Sequence, residues 1–404
     1  MPALSAHSWR ASGAIALAGA LLSGPALGQV PILASEPTNL ASSVDRMISY
    51  RHQEHMWQTA DGALHVVMNR GRLKPASGLG LHTSLDGGRT WAVQLNWPGA
   101  RNDSTADGVL AGDRLSLAYS SDSGAIVYND LRYDIGTRTW SQLRSETVFA
   151  PGAFTAENPT VAVDDNDTTW VVYVTTELAT GALRINVASR ATGSAPWVDT
   201  GLVFGGVGAP GAGRSARLLA VAGGMTMIYK VEQTLTWATR PNSAGSDAPW
   251  TESVLYVSPR STGRDPYASH FSIVADSQKN LHFVVADGGK LYYFPYSGPN
   301  GSWGTGRVLD STAVVAYCQI SITADDRLMV VYNDASGDSR VMESLNGGES
   351  FTGVALLRPS PVDGAKYTYA RVETPSLTTL PAPVLRQYAE GSVNKLMLFT
   401  VPLP

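Results

Sequence analysis

Cysteine is all but missing: Cys318 is the only one among 404 residues. A single thiol makes no internal disulfide, and a zinc site built on cysteines is excluded. No His-Glu-x-x-His segment is present, so the common zinc-hydrolase motif is excluded too. Charge of one sign does not gather anywhere. There are 30 Lys+Arg against 34 Asp+Glu, a formal charge of -4, with no basic run for nucleic acid and no basic amphipathic helix for a membrane surface. No apolar run reaches the roughly 20 residues that a membrane-spanning helix needs. Long stretches of helical periodicity are absent as well. Stability must therefore come from burial, and about 375 residues are ample for a large core or for several modules sharing one.

The N-terminus reads as an export signal. Arg10 is the positive charge, Ala11 to Leu22 form a short apolar run, and Pro25-Ala26-Leu27-Gly28 offer small residues for cleavage. Residues 1-29 are thus expected to be a signal peptide and 30-404 a single domain, secreted or periplasmic.

What is abundant is punctuation: 40 Gly and 23 Pro. Between them lie short apolar runs such as Leu64-His65-Val66-Val67-Met68, Trp170-Val171-Val172-Tyr173-Val174, Leu281-His282-Phe283-Val284-Val285 and Leu328-Met329-Val330-Val331-Tyr332. Runs of this length bounded by Asp, Gly and Asn read as strands. An aromatic residue follows a polar turn at Trp91, Trp140, Trp197, Trp250, Trp303 and Phe351, at intervals of 49, 57, 53, 53 and 48 residues. Fifty residues suit one four-stranded propeller blade. Within the unit, Thr59-Ala60-Asp61-Gly62-Ala63-Leu64 and Thr323-Ala324-Asp325-Asp326-Arg327-Leu328 are matching hairpin turns that enter a strand. The expected fold is an all-β, seven-bladed β-propeller with blades at 49-100, 101-150, 151-205, 206-258, 259-311, 312-361 and 362-404. The last blade borrows a strand from 30-48 to close the ring. A six-bladed ring, with 362-404 closing the sixth blade, is the alternative.

Two turns carry a sharper signature. Ser84-Leu85-Asp86-Gly87-Gly88-Arg89-Thr90-Trp91 has the form Ser-x-Asp-x-Gly-x-Thr-Trp, and Ser344-Leu345-Asn346-Gly347-Gly348-Glu349-Ser350-Phe351 is a relaxed copy. Tyr133 to Trp140 is a degraded third. On these residues the chain resembles the sialidase-like Asp-box (BNR-repeat) propellers. The motif itself is structural: the carboxylate accepts N–H bonds of its own turn, the glycines allow positive φ and the aromatic packs between sheets.

Function in a propeller gathers where the innermost strands meet the central channel. The polar residues at those places are Arg51, His52 and His55; Asp103 and Asp107; Glu157 and Asn158; Arg214 and Arg217; His270; Tyr317 and Gln319; Arg371 and Glu373. The Arg and His among them would make a pocket for an anion. His65 and His282, inside apolar runs, read as core residues, and His82 as a surface one. The resemblance implies more. Tyr50-Arg51-His52-Gln53 stands where sialidases place the first carboxylate-gripping Arg, without the Ile-Pro that follows there. Ala316 to Ile322 looks like the strand that carries their Tyr nucleophile. The stretch Lys74-Pro75-Ala76-Ser77-Gly78 has no acid where sialidases carry their acid/base Asp, and Arg214, Arg264 and Arg371 are candidates for the remaining arginines.

Three readings follow. In a sialidase-type glycoside hydrolase, Arg51 and Arg371 would bind the carboxylate of an acidic sugar. Tyr317 would attack, with Glu157 or Glu373 taking its proton. In a polysaccharide lyase, His52, His55 and Tyr317 would serve β-elimination on a uronate polymer. A non-catalytic propeller binding a glycan or a protein is the third. Arg214 and His270 are further substrate-binding candidates. The expected partner is an acidic oligo- or polysaccharide, met by a monomer that needs no cofactor; calcium held by carbonyls and Asp in a loop stays open.

Overall fold

The computed structural model describes residues 30-48, 52-71, 78-101, 106-192, 196-211, 213-259, 270-312, 314-334, 337-359, 365-366 and 371-403. Residues 31-404 form one compact unit. Everything regular among its described residues is strand, as the punctuated sequence leads one to expect. No helix among the described residues is long and apolar enough to cross a membrane.

The chain is an all-β propeller. Its described strands fall into seven sheets, each an antiparallel meander following the previous one in sequence. The first holds Met56–Gln58, Leu64–Asn69, Leu79–Ser84 and Ala92–Trp97. The second runs from Ala106 to Phe149, the third from Phe154 to Gly208, the fourth from Arg214 to Val257 and the fifth from Phe271 to Asp310. The sixth, Val314 to Arg358, gains Ile32–Ala34 at its outer edge in parallel register. The segment 365-401 makes a sheet of its own, completed on the outside by Glu36–Ser42 paired with Val393–Val401. The strand sought in 30-48 is thus found.

Shared apolar cores join each sheet to the next. Trp57, Leu81 and Leu117 bury together between the first and second, and Val172, Ile185 and Met227 between the third and fourth. The ring closes where Leu40, Met56, Leu64 and Val66 meet Leu385, Leu396 and Leu398 of the last sheet.

The aromatic-ended turns are the joints. Trp140 of the second sheet stands edge-on to His65 of the first, Trp197 to Tyr128, Trp250 to Trp170, Trp303 to Trp237 and Phe351 to Tyr293. Trp91 packs into the closing core, and its backbone is bound on both sides by Asn39. Each aromatic reaches back to the preceding sheet.

The Asp-box chemistry is as the residues demand. Asp86 accepts the Thr90 hydroxyl at 2.6 Å and the N–H groups of Thr90 and Arg89. Those bonds, Thr90's first, draw its carboxyl down to about 2. Gly88 (φ 99°) and its counterpart Gly348 (φ 83°) lie in the left-handed region and press on Leu398 and Tyr293 of the preceding sheets, where a Cβ would clash.

Histidine placement follows from the same joints. The indole N–H of Trp140 can only donate, so His65 Nδ1 accepts it at 2.9 Å. The ring proton then sits on Nε2, 3.0 Å from the Thr59 hydroxyl, which donates to Asp61. Burial holds His65 near 4. His282, bonded to Tyr293, is core as well. His82 departs from the sequence expectation: it is buried, because the strand Leu79–Ser84 is covered on both faces, and its Nδ1 lies 3.1 Å from the Gly80 carbonyl. Burial, then the charge of Arg70, lowers it to about 4.

Two outcomes follow. Leu398→Ala, at the closure, should cost about 2–5 kcal/mol in denaturant unfolding, whereas the exposed Leu345→Ala should stay within about 0.5 kcal/mol. The unfolded chain takes up protons on His65 and His82 near pH ~6.5, which the folded chain refuses until about pH 4. Stability should therefore fall as pH drops through that window, and His65→Asn should lessen the slope.

Candidate functional site

Each meander begins with its innermost strand, so these strands run in the same sense along the axis, and Leu377, just past Glu373 of the last sheet, pairs in parallel with Ile322 of the sixth. The starts of these strands therefore gather at one mouth of the channel and their ends at the other. Of the sequence candidates, Arg51, Asp103 and Arg264 lie outside the described residues, as do Tyr50 and 72-77.

At the mouth formed by the strand starts, three candidates meet. His270 lies edge-on to Tyr317 with ring centroids 4.9 Å apart, and the Arg371 guanidinium stands over the Tyr317 ring at 5.1 Å. Arg371 also donates from Nε to the Asp45 carbonyl. The three are 7%, 8% and 8% exposed, just beneath the surface. His52 is one step further in, stacked on Phe271 at 5.0 Å. Phenol, imidazole and guanidinium together can exchange protons and hold a carboxylate.

Midway along the channel is a belt of charge. Asp107 is fully buried. It takes the N–H of Glu54 on Oδ1 and that of Val161 on Oδ2, both at 2.8 Å, so it ties the first and third sheets to the second. Arg217 of the fourth sheet pairs with Asp107 and, at 2.7 Å, with Glu54. Glu54 Oε2 accepts the Ser376 hydroxyl. Glu373 takes the backbone N–H of His55 and its Nδ1 at 3.1 Å. Burial pushes Asp107 and Glu54 above the usual carboxylate range, against the pull of Arg217. Burial opposes the charge of Arg217, but Asp107 and Glu54 hold its proton on.

A cavity of about 10 Å³, room for a single water, lies beside the belt between His52, Phe271, Gln319 and Thr374. Beyond it the far mouth opens as a pit of about 290 Å³.

The other candidates go elsewhere. Arg214 does not reach the mouth: it donates to the carbonyls of Phe204, Gly205 and Gly206 at the junction of the third and fourth sheets. Glu157 pairs with Arg101 at 3.1 Å. His55 and Glu373 hold each other within the belt. The sequence reading passed over Glu54 as a site residue, although it stands between His52 and His55. It also expected a channel suited to an anion, and at belt depth the reverse holds. Among the described residues, Glu54, Asp107 and Glu373 face Arg217 and His55, so carboxylates exceed the cations there even with His55 charged. Among the described residues, no group of three or more His, Cys, Asp or Glu is arranged to hold a metal ion.

No family model matches the sequence, and no curated protein does. Among solved structures, the chain is similar to a fungal lectin of Aleuria aurantia, described as a six-bladed β-propeller with a novel fucose recognition mode. Identity is 15% over 76% of this chain and 96% of the lectin, with a TM-score of 0.47. It is similar to an ulvan lyase, described as a new family of polysaccharide lyase, at 14% identity over 60% of this chain and 64% of that one, TM-score 0.40. An α-L-arabinanase of Penicillium chrysogenum, complexed with arabinobiose, aligns at 13% identity over 91% and 98%, TM-score 0.45.

The belt has a testable energetic signature. Arg217→Met leaves the buried Asp107 and Glu373 and the part-buried Glu54 facing one another and should destabilise by about 3–5 kcal/mol near pH 7. With Arg217 gone, Glu54 and Asp107 lose the cation that draws them down, so they rise further and folding takes up protons; the penalty should shrink towards about pH 5. Urea unfolding of both proteins at the two pH values checks it; an equal penalty at both would contradict the belt.

Proposed function

We propose that this propeller acts on an acidic carbohydrate outside the cytoplasm, at the mouth where His270, Tyr317 and Arg371 meet, and that β-elimination at a uronate is its reaction. The observation that carries this reading is the contact of imidazole, phenol and guanidinium in one cluster. Arg371 would pair with the uronate carboxylate and stabilise the charge that spreads into it as C5 loses its proton. One of His270 and Tyr317 would take that proton and the other would give one to the departing O4. The C4–O bond breaks, a C4=C5 double bond forms and protons balance. The export signal read in residues 1-29 supports the location.

Sialidase-type hydrolysis with Tyr317 as nucleophile has less support. It needs a carboxylate to take the phenol proton. Glu373 is engaged by His55, and Glu157 by Arg101. His52 and His55, the other lyase candidates, are occupied by Phe271 and Glu373.

Incubation with uronate polymers should raise absorbance near ~235 nm, the mark of an unsaturated uronate made by elimination. Tyr317→Phe should lower kcat at least about a hundredfold with the polymer still bound, and Arg371→Ala should weaken binding by about tenfold or more. Release of sialic acid without absorbance would replace elimination by hydrolysis. Binding without turnover would make the protein a lectin. Full activity in Tyr317→Phe would remove that residue from the mechanism.

A further inference from the structure

The pit at the far mouth has walls and a floor of different character. Its walls come from the ends of the innermost strands: Val109, Val163, Ala220, Ala275, Ile322 and Leu377. All are apolar. The floor is the belt, presented by Glu54, Arg217 and Ser376. The Glu54 side chain is 20% exposed, whereas Arg217 behind it is 3% exposed. A molecule entering the pit thus meets the Glu54 side chain before it meets the guanidinium.

The charge beneath that carboxylate is not balanced. Arg217 is shared between Glu54 and Asp107, and Glu373 adds a third carboxylate opposed by His55. With all three carboxylates ionised, one negative charge is left over if His55 is protonated and two if it is neutral, and burial, which raises Glu54 and Asp107, favours a proton held there in place of a cation. A low-dielectric wall sharpens the field of such an excess, because little solvent lies between it and an incoming charge. About 290 Å³ is enough for a short aliphatic chain, and the wall offers that chain nothing but apolar contact. An anion would face the surplus carboxylate, and a neutral apolar molecule would leave it uncompensated.

We infer that the far mouth of the channel is a second ligand site, separate from the His270–Tyr317–Arg371 mouth, for a free short-chain alkylammonium whose cationic head docks on Glu54. The head would pair with Glu54 while its tail displaces water from the walls. The strength of the head contact depends on Glu54 being ionised, so binding expels any proton it carries.

Calorimetry near pH 7 with n-hexylamine, n-hexanol and hexanoate tests the site. Hexylammonium should bind at least about tenfold more tightly than hexanol, and hexanoate more weakly than either. Glu54→Gln should bring hexylammonium to the level of hexanol. Ala220→Trp, which adds bulk on the pit wall, should abolish binding of both, and it keeps the test decisive if Glu54→Gln fails to fold. Hexylammonium binding no better than hexanol, or persisting in Ala220→Trp, would overturn the proposal. Turnover of a uronate polymer is an independent readout, so the two sites can fail separately.

Discussion

The first six sheets are each held to the sheet before them by an aromatic side chain at the end of an outer turn. Trp140 on His65, Trp250 on Trp170, Trp303 on Trp237 and Phe351 on Tyr293 are one arrangement used repeatedly. A large flat side chain fills the wedge that two splayed, twisted sheets leave at their outer edges. With the wedge filled there, the sheets converge at the inside, and the channel becomes narrow enough for Asp107 to reach backbone N–H groups of both neighbouring sheets. The outer joints thus set the spacing on which the ionic belt depends.

This dependence explains what the sequence disclosed. The joints are local: a polar turn, a glycine with positive φ and an aromatic residue stand within eight positions of one another, so Ser84 to Trp91 announces itself. Strand starts were legible for the same reason, and His65 and His282 reveal their burial by their apolar neighbours. The channel is the opposite case. Its contacts join residues such as His55 and Glu373, 318 positions apart, and no local pattern says which will meet. Side-chain direction adds to the difficulty. Arg214 and Arg217 share a strand but are three residues apart and so face opposite ways. One is spent on carbonyls between sheets and the other becomes the centre of the belt. Glu54 was hidden by its histidine neighbours, although it meets the cation that the strand pattern placed across the axis.

The belt also divides the molecule's chemistry. At one mouth His270, Tyr317 and Arg371 form a cluster of an imidazole, a phenol and a guanidinium; at the other, apolar walls surround the part-exposed Glu54. A continuous channel would let water and ions even out these environments. The buried pairs of Arg217 close it, leaving room for a single water beside His52 and Gln319. Each mouth then keeps its own local field.

The segment 31-42 laces the ring by lying on two sheets at once. Ile32–Ala34 edges the sixth, and Glu36–Ser42 completes the last, where the Thr38 hydroxyl donates to the Leu396 carbonyl across 358 residues. During synthesis this segment emerges long before its partner, Leu396 lying 358 residues beyond Thr38. Until then the first sheet lacks the neighbour that covers Trp91, and strands of the growing array present open edges to any other chain nearby. Closure also carries the full entropic cost of a loop of that length in one late step. Assembly is therefore vectorial but its stability is not: the ring gains its closing core only when the final strand arrives, and a chain truncated before Val393 would be left as an open, association-prone arc.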